Sequence, residues 1–258
     1  MNRARRAAVL AACFAFAACG SPADTELTVF AAASLTDVLV EVETAYENGN
    51  PGIDLVIATD SSAGLRTQIE EGAPADIFLS ADTANPEGLA EAGRTEGDPV
   101  DFAGNSLALV VPSANQAGIQ SPADLATDGV QVIAAGPEVP ITEYVAEVIA
   151  NLAGLPDYPD GFAEAYAANI VSEEENVRAV LGKIELNEGD AGFVYQTDAL
   201  ASDDVAAIEI PEEANTNALY AGCVIADSDH LEQAEAFLAW LAGAEGQAIL
   251  GEFGFVAP

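Results

Sequence analysis

The stretch "TVFAAASLTDVL", residues 28–39, joins a strand pattern to a helix pattern. Thr28, Val29 and Phe30 are residue types that strands favour, and three alanines follow them. From Leu35 onward, apolar residues recur at helical spacing. Ser34 lies at the junction, and no histidine or lysine is near it in the sequence to activate its hydroxyl group. This junction predicts an α/β fold and makes Ser34 a candidate functional residue.

Three more strand-to-helix junctions follow, and they predict the domain organisation. They are "IDLVIATDSS" (53–62), "GVQVIAAGPEVP" (129–140) and "NIVSEEEN" (169–176). Two junctions precede residue 105 and two follow it, which predicts a two-lobed α/β fold with two hinge crossovers and a ligand cleft between the lobes. We expect residues 26–104 with 216–258 in one lobe and 105–215 in the other. A single final helix, beginning near His230, should return to the first lobe.

The N-terminus has the pattern of a secretory signal. Arginines at positions 3, 5 and 6 precede an apolar run that ends in "FAACG". We expect residues 1–18 to be a signal peptide, Cys19 to be the lipid-modified first residue of the mature chain, and 19–25 to be a tether. The protein would then be anchored to the outer face of the cell membrane.

The charge of the chain is strongly negative. Without residues 1–18, four basic residues remain against 43 acidic ones, a formal charge of −39. This excludes nucleic acid as a partner, because binding to phosphates requires a cationic surface. The acidic surface indicates a solubility device, for example in a salty habitat.

The helix starts at the junctions suggest anion binding. A helix N-terminus offers unpaired N–H groups and a partial positive charge. Ser34 and Ser62 lie at two of these starts. The alternative for each serine is an ordinary helix cap, and for Ser34 the acidic residue Asp37 would complete a capping box.

Enzymatic and metal sites find little support in the sequence. The one histidine, His230, precedes the last helix and reads as a surface residue, so Ser34 and Ser62 lack a base. The carboxylates of "SEEEN" (172–176) suit a helix start better than a metal site. Cys223 and Trp240 read as core residues. We therefore expect a non-enzyme without cofactor or metal ion, and no disulfide.

Several motifs in order resemble the periplasmic molybdate-binding proteins of ABC importers. These are "TVFAAASL" (28–35), "QIEEGAPADIFLSAD" (68–82), "GNSLALVVP" (104–112), "NVRAVLGKIELNEGDAGFVYQTDA" (176–199) and "GFV" (254–256). The resemblance covers residues 26–258.

This resemblance implies a set of oxyanion ligands in this chain. Two serines would donate hydroxyl and backbone N–H groups, at Ser34 and Ser62, with Ser61 as an alternative to Ser62. Backbone N–H donors would lie at Val177 and near Ile141, where Thr142 is an alternative. The hydroxyl group of Tyr195 would complete the shell.

The implied function is capture of molybdate or tungstate and delivery to an ABC permease by a monomer. Neutral donors suit a dianion, because each hydrogen bond to a charged group is strong. Two alternatives stay open: binding of another tetrahedral oxyanion such as sulfate, and a secreted serine hydrolase.

Overall fold

The computed structural model describes residues 25–258, so the predicted signal peptide and Cys19 lie outside the described residues. Nine strands form a mixed sheet with helices packed on it. The strands are β1 Thr25–Ala32, β2 Ile53–Asp60, β3 Ile77–Ser80, β4 Thr95–Pro112, β5 Val132–Ala135, β6 Ile170–Glu174, β7 Ala191–Tyr195, β8 Val205–Ile208 and β9 Asn217–Ile225. The helices are α1 Thr36–Gly49, α2 Ser62–Glu70, α3 Ala84–Glu91, α4 Pro140–Ala153, α5 Phe162–Ala168, α6 Val177–Glu185, α7 Gln196–Leu200, α8 Leu231–Leu241 and α9 Ala244–Glu252.

The strand order divides the sheet into two halves. It runs β2-β1-β3-β9-β4-β7-β5-β6, and β8 pairs with β4. Strands β1, β2 and β3 are parallel on one side, and β5, β6 and β7 are parallel on the other. Each half carries helices, as expected for a two-lobed α/β fold.

The long strand β4 belongs to both halves. Its residues 95–106 pair with β9, and its residues 107–112 pair with β7 and β8. The chain passes back through the turn before β9, which begins at Asn217. These two passages are the hinge crossovers of the fold, while the exact lobe boundaries, 104/105 and 215/216, stay a prediction.

The core of each half forms where apolar residues recur at the expected period. In α6, Val180, Leu181 and Ile184 are buried at helical spacing. All five residues of β7 are buried, as in a central strand. Gly192 in β7 is required by close packing, because a Cβ atom there would lie 2.9 Å from Val180 Cγ1.

The C-terminal segment differs from the sequence prediction. The prediction of one long final helix is wrong, because the chain forms α8 and α9 with a break at Gly243, whose backbone is extended. Helix α8 packs on α1 through Tyr46, whose ring centre lies 4.9 Å from that of Phe237 and 5.1 Å from that of Trp240. Both last helices thus lie against the first half of the sheet.

Candidate functional site

A small cavity lies where several helices begin. Its volume is about 10 Å³, which is close to the room that one water molecule needs. A larger tetrahedral ion therefore requires its walls to separate slightly. The lining residues come from both halves of the sheet: Ala32, Ala33, Ser34, Asp60, Ser61, Ser62, Ala81, Val139, Pro140, Asn176, Val177 and Tyr195.

The two predicted serines meet at this cavity with their hydroxyl groups already positioned. Ser62 Oγ accepts a hydrogen bond of 3.1 Å from the backbone N–H of Ala81, so its own proton is free to be donated. Ser34 Oγ lies 2.9 Å from the hydroxyl oxygen of Tyr220. Ser34 makes no capping bond, and Asp37 contacts Arg178 instead. The alternative that Ser34 and Asp37 form a capping box is therefore wrong.

A buried chain of hydrogen bonds connects Ser34 through Tyr220 to Asn105 and Thr197. Asn105 Nδ2 lies 2.9 Å from Thr197 Oγ1 and 3.5 Å from the hydroxyl oxygen of Tyr220. An amide nitrogen can only donate, so the Tyr220 hydroxyl group can accept a hydrogen bond from Asn105 and donate one to Ser34 Oγ. In that arrangement Ser34 keeps its proton for a group in the cavity.

The starts of α6 and α4 supply the backbone donors. At α6, Asn176 Oδ1 accepts a hydrogen bond from the N–H of Ala179 at 3.0 Å. Val177 is the first residue of α6, so its N–H has no acceptor in a preceding turn of the helix. At α4, Pro140 is the first residue and has no N–H, so the first donor of that helix is Ile141.

Ile141 and Thr142 differ from the other predicted residues. The side chains of both line a second, more apolar cavity of about 330 Å³, with Tyr166 and Phe193. The Thr142 hydroxyl group already donates to the carbonyl of Gly136 at 2.7 Å, and its N–H donates to Val139. Thr142 has thus used both donors, so the backbone N–H of Ile141 is the remaining candidate donor at this helix start. Pro140 lines the first cavity, but Ile141 is not among its lining residues.

Tyr195 contributes an unusual hydroxyl group. The residue is 1% exposed, and its hydroxyl oxygen has no hydrogen-bond partner among residues 25–258. Burial, followed by the nearby Tyr220, raises the pKa of Tyr195 well above its ordinary value, so the hydroxyl group keeps its proton. An unpaired buried donor is costly, which indicates a partner that the protein chain itself does not supply.

Comparisons with known proteins identify the family of the chain. A family model described as bacterial extracellular solute-binding protein matches residues 27–256. The chain belongs to this solute-binding protein family. A relative from Mycobacterium tuberculosis strain H37Rv, named molybdate-binding protein ModA, is 34% identical over 96% of this chain and 93% of its own length.

Solved structures place this solute-binding protein in the periplasmic-binding-protein fold. The periplasmic molybdate-binding protein of Azotobacter vinelandii superposes with a TM-score of 0.74 at 25% identity, covering 90% of this chain and 99% of the other. The sulfate-binding protein SubI of M. tuberculosis has a TM-score of 0.78 at 20% identity over 90% and 86% of the two chains. The second likeness concerns the fold alone.

In the described part of the chain, no helix has the length and apolar character needed to span a membrane.

Of the residues that line the cavity of this solute-binding protein, Asp60 alone is charged. Asp60 is in the wall, where its Oδ1 accepts from the N–H of Ser61 at 2.7 Å. Within residues 25–258 no group of three or more His, Cys, Asp or Glu side chains is arranged to hold a metal ion. The polar groups at the cavity are mostly neutral donors, which suit an anion.

A half-buried arginine pairs with a buried carboxylate beside the site. Arg178 Nε lies 3.2 Å from Oδ1 of Asp198, a residue 1% exposed. Burial raises the pKa of Asp198 to about 7, although Arg178 and the Tyr195 N–H, which donates to Asp198, favour the charged form.

The sequence analysis missed the supporting residues Tyr220, Asn105, Arg178 and Asp198. Asn105 and Asp198 lie inside the motifs "GNS" and "GFVYQTDA", but neither motif shows what the side chain contacts. Tyr220 lies 186 residues from Ser34 in the sequence, so no local pattern could pair them.

Proposed function

We propose that this protein is the solute-binding component of an ABC importer and that it captures molybdate or tungstate. The observation that carries the proposal is the unpaired, buried Tyr195 hydroxyl group at a cavity lined by Ser34, Ser62 and Val177. With the N–H of Ile141, these groups supply neutral donors from both halves of the sheet. The relative and the solved structure that are named for molybdate binding support the choice of ligand.

The donor set favours a fully deprotonated oxyanion. The proposed hydroxyl and backbone N–H groups act as donors, and an ion that carries its own O–H would need an acceptor in return. Size provides the second selection, because a smaller ion such as sulfate would leave some buried donors unpaired. Ser62 is preferred over Ser61, because the Ala81 N–H fixes its hydroxyl oxygen.

The ion would be delivered to a membrane permease by the mature chain, anchored through a lipid on Cys19. Binding would close the two lobes, proposed as 26–104 with 216–258 and as 105–215, over the ion. Ser34 is bonded to Tyr220 rather than to a histidine, lysine or carboxylate, so its hydroxyl group contacts no base that would activate it in a serine hydrolase.

Titration calorimetry with molybdate, tungstate, sulfate and phosphate tests the ligand. We expect binding of molybdate and tungstate, and thermal unfolding with either ion at 100 times its Kd should show stabilisation by about 2.7 kcal/mol. Binding of sulfate alone would support the alternative of another oxyanion, and binding of none of the four would contradict the proposal.

Intact-mass analysis of the membrane fraction, compared with a Cys19→Ser variant, tests the lipid anchor.

A further inference from the structure

The start of α6 contacts the first half of the molecule on both sides of Val177. On one side, the Arg178 guanidinium group pairs with Oδ2 of Asp37 in α1. On the other side, Asn176 Nδ2 donates to Oδ1 of Asp60, at the end of β2, over 3.2 Å. Helix α6 lies with β5 to β7, whereas α1 and β2 lie in the other half, so both contacts cross the cleft.

The groups that make these contacts are already held in place on their own side. Asn176 caps α6 through Ala179, and Arg178 Nε lies next to the buried Asp198. Across the cleft, Asp60 is held by the N–H of Ser61. Side chains that are ordered beforehand lose little conformational entropy when they make a further contact.

Arg178 differs from the other three basic residues of the described chain. Arg66 pairs with Glu70 inside α2, Arg94 pairs with Asp227 beside the first half of the sheet, and Lys183 pairs with Glu174 in the second half. Arg178 alone among these four cations contacts carboxylates of both halves. Its side chain is 24% exposed, so its pairing with Asp37 is only partly screened by water.

We propose that Asp37, Asn176, Arg178 and Asp60 form a latch that holds the closed cleft and sets how long the bound oxyanion stays. The latch rests on the proposed function. Its contacts exist only when the halves are together, so they favour the closed state and add to the affinity through closure. Asp37 and Arg178 act from outside the cavity, whereas Asp60 and Asn176 also line it. They flank Val177, so closing the latch also holds this backbone donor at the cavity.

The test uses Asp37→Asn, which removes the charge across the cleft and leaves the pair of Arg178 with Asp198 intact. The matched control is Asp227→Asn, which makes the same charge change at the exposed pair with Arg94. Stopped-flow kinetics with molybdate should show dissociation about 3- to 10-fold faster in Asp37→Asn, because the latch must open before the ion can leave. The control should match wild type.

A second variant, Asn176→Ser, keeps a capping oxygen for α6 but loses the amide that reaches Asp60. We expect faster dissociation here as well, and a larger effect in the double variant with Asp37→Asn. Equal dissociation rates in Asp37→Asn and Asp227→Asn would overturn the latch. So would a loss of ligand-free melting temperature in Asp37→Asn that accounts for the whole effect, because that result indicates a general structural role.

The two proposals fail in different ways. If wild type bound none of the four oxyanions, the proposed function would be wrong. The latch would then be judged by small-angle X-ray scattering of the ligand-free proteins at low salt. It predicts a larger radius of gyration for Asp37→Asn than for Asp227→Asn, and equal radii would overturn it.

Discussion

At the scale of single residues, the Tyr195 hydroxyl group separates binding from stability. It is buried and makes no hydrogen bond within the described chain, so it contributes nothing favourable to folding. The hydroxyl group would make a favourable hydrogen bond only with a bound ion. Because most buried polar groups are hydrogen-bonded within the protein, this unpaired hydroxyl group is a sensitive probe of the site.

We expect Tyr195→Phe to weaken molybdate binding about 10- to 100-fold, since a hydrogen bond to a charged group contributes about 1.5–3 kcal/mol. The ligand-free melting temperature should stay the same or rise. Calorimetry and thermal unfolding measure the two effects. A variant that melted much lower and bound normally would show that the hydroxyl group has a structural partner instead.

Asp198 gives a pH dependence whose sign follows from its burial. Folding raises the pKa of Asp198 from 3.8 to about 7, so the folded protein binds more protons than the unfolded chain between these values. The stability from this group is fully present below pH about 4 and is lost as the pH rises through 7. The free energy of unfolding of wild type should fall more steeply over this range than that of Asp198→Asn. If the free energies of unfolding of wild type and Asp198→Asn, measured by urea unfolding, changed in parallel with pH, this prediction would be wrong.

At the scale of elements, the junction between α8 and α9 depends on a close approach. A Cβ atom on Gly246 would lie 2.3 Å from the carbonyl oxygen of Leu241, which is backbone and cannot rotate away. Gly251 lies in the same helix, where an added Cβ atom would meet nothing within 4 Å. The two glycines therefore form a matched pair.

Gly246→Ala should destabilise the protein by about 1–3 kcal/mol, because it overpacks the junction. Gly251→Ala should be neutral or slightly stabilising, because alanine favours a helix more than glycine does. Urea unfolding measures both. Equal stabilities for the two variants would show that the junction can relax at no cost.

The elements also show what the sequence could predict. The strand-to-helix junctions were readable because apolar periodicity and the residues before each helix are local features. For example, α6 begins at Val177, directly after the predicted junction at 169–176. The break at Gly243 was not readable, because the apolar pattern continues through it. Helix α3 and the first part of β4 also went unpredicted; β4 there is largely polar and is held by pairing with the distant β9.

The candidate site was also predictable where motifs in the sequence determine it, and not where packing and contacts between distant residues do. The resemblance named Ser34, Ser62, Val177 and Tyr195, and the structure brings these four together at one cavity. It could not show that the Ile141 side chain faces another cavity, since that depends on how α4 packs. The contacts of Arg178 join residues more than a hundred positions apart, and no sequence spacing predicts such contacts.

At the scale of the whole molecule, charge opposes the proposed ligand. The chain has 43 acidic residues, and each of the four basic residues in the described part is already paired with a carboxylate. The outer part of the cleft is lined by Asp60, Glu138, Glu174 and Glu175. A dianion must therefore approach through a field of its own sign before it reaches the neutral donors.

We expect the association rate of molybdate to rise with KCl concentration, the reverse of an electrostatically steered ligand. Screening acts over about 30 Å at 0.01 M salt and about 3 Å at 1 M, so the repulsion should largely vanish across this range. Stopped-flow measurements across the series provide the test. A rate that fell with salt would indicate a local positive potential at the cleft that outweighs the surrounding acidic residues.

The continuous strand β4 has a consequence for amide hydrogen exchange. Around the crossover, Asn105 pairs with Ala218, Ser106 with Asn217, and Leu107 with Tyr195. Since β4 is unbroken between the halves, opening the cleft would bend this ladder without melting it. Exchange at residues 104–107 should stay slow with and without ligand, while exchange at the start of α6 should become slower when an ion is bound.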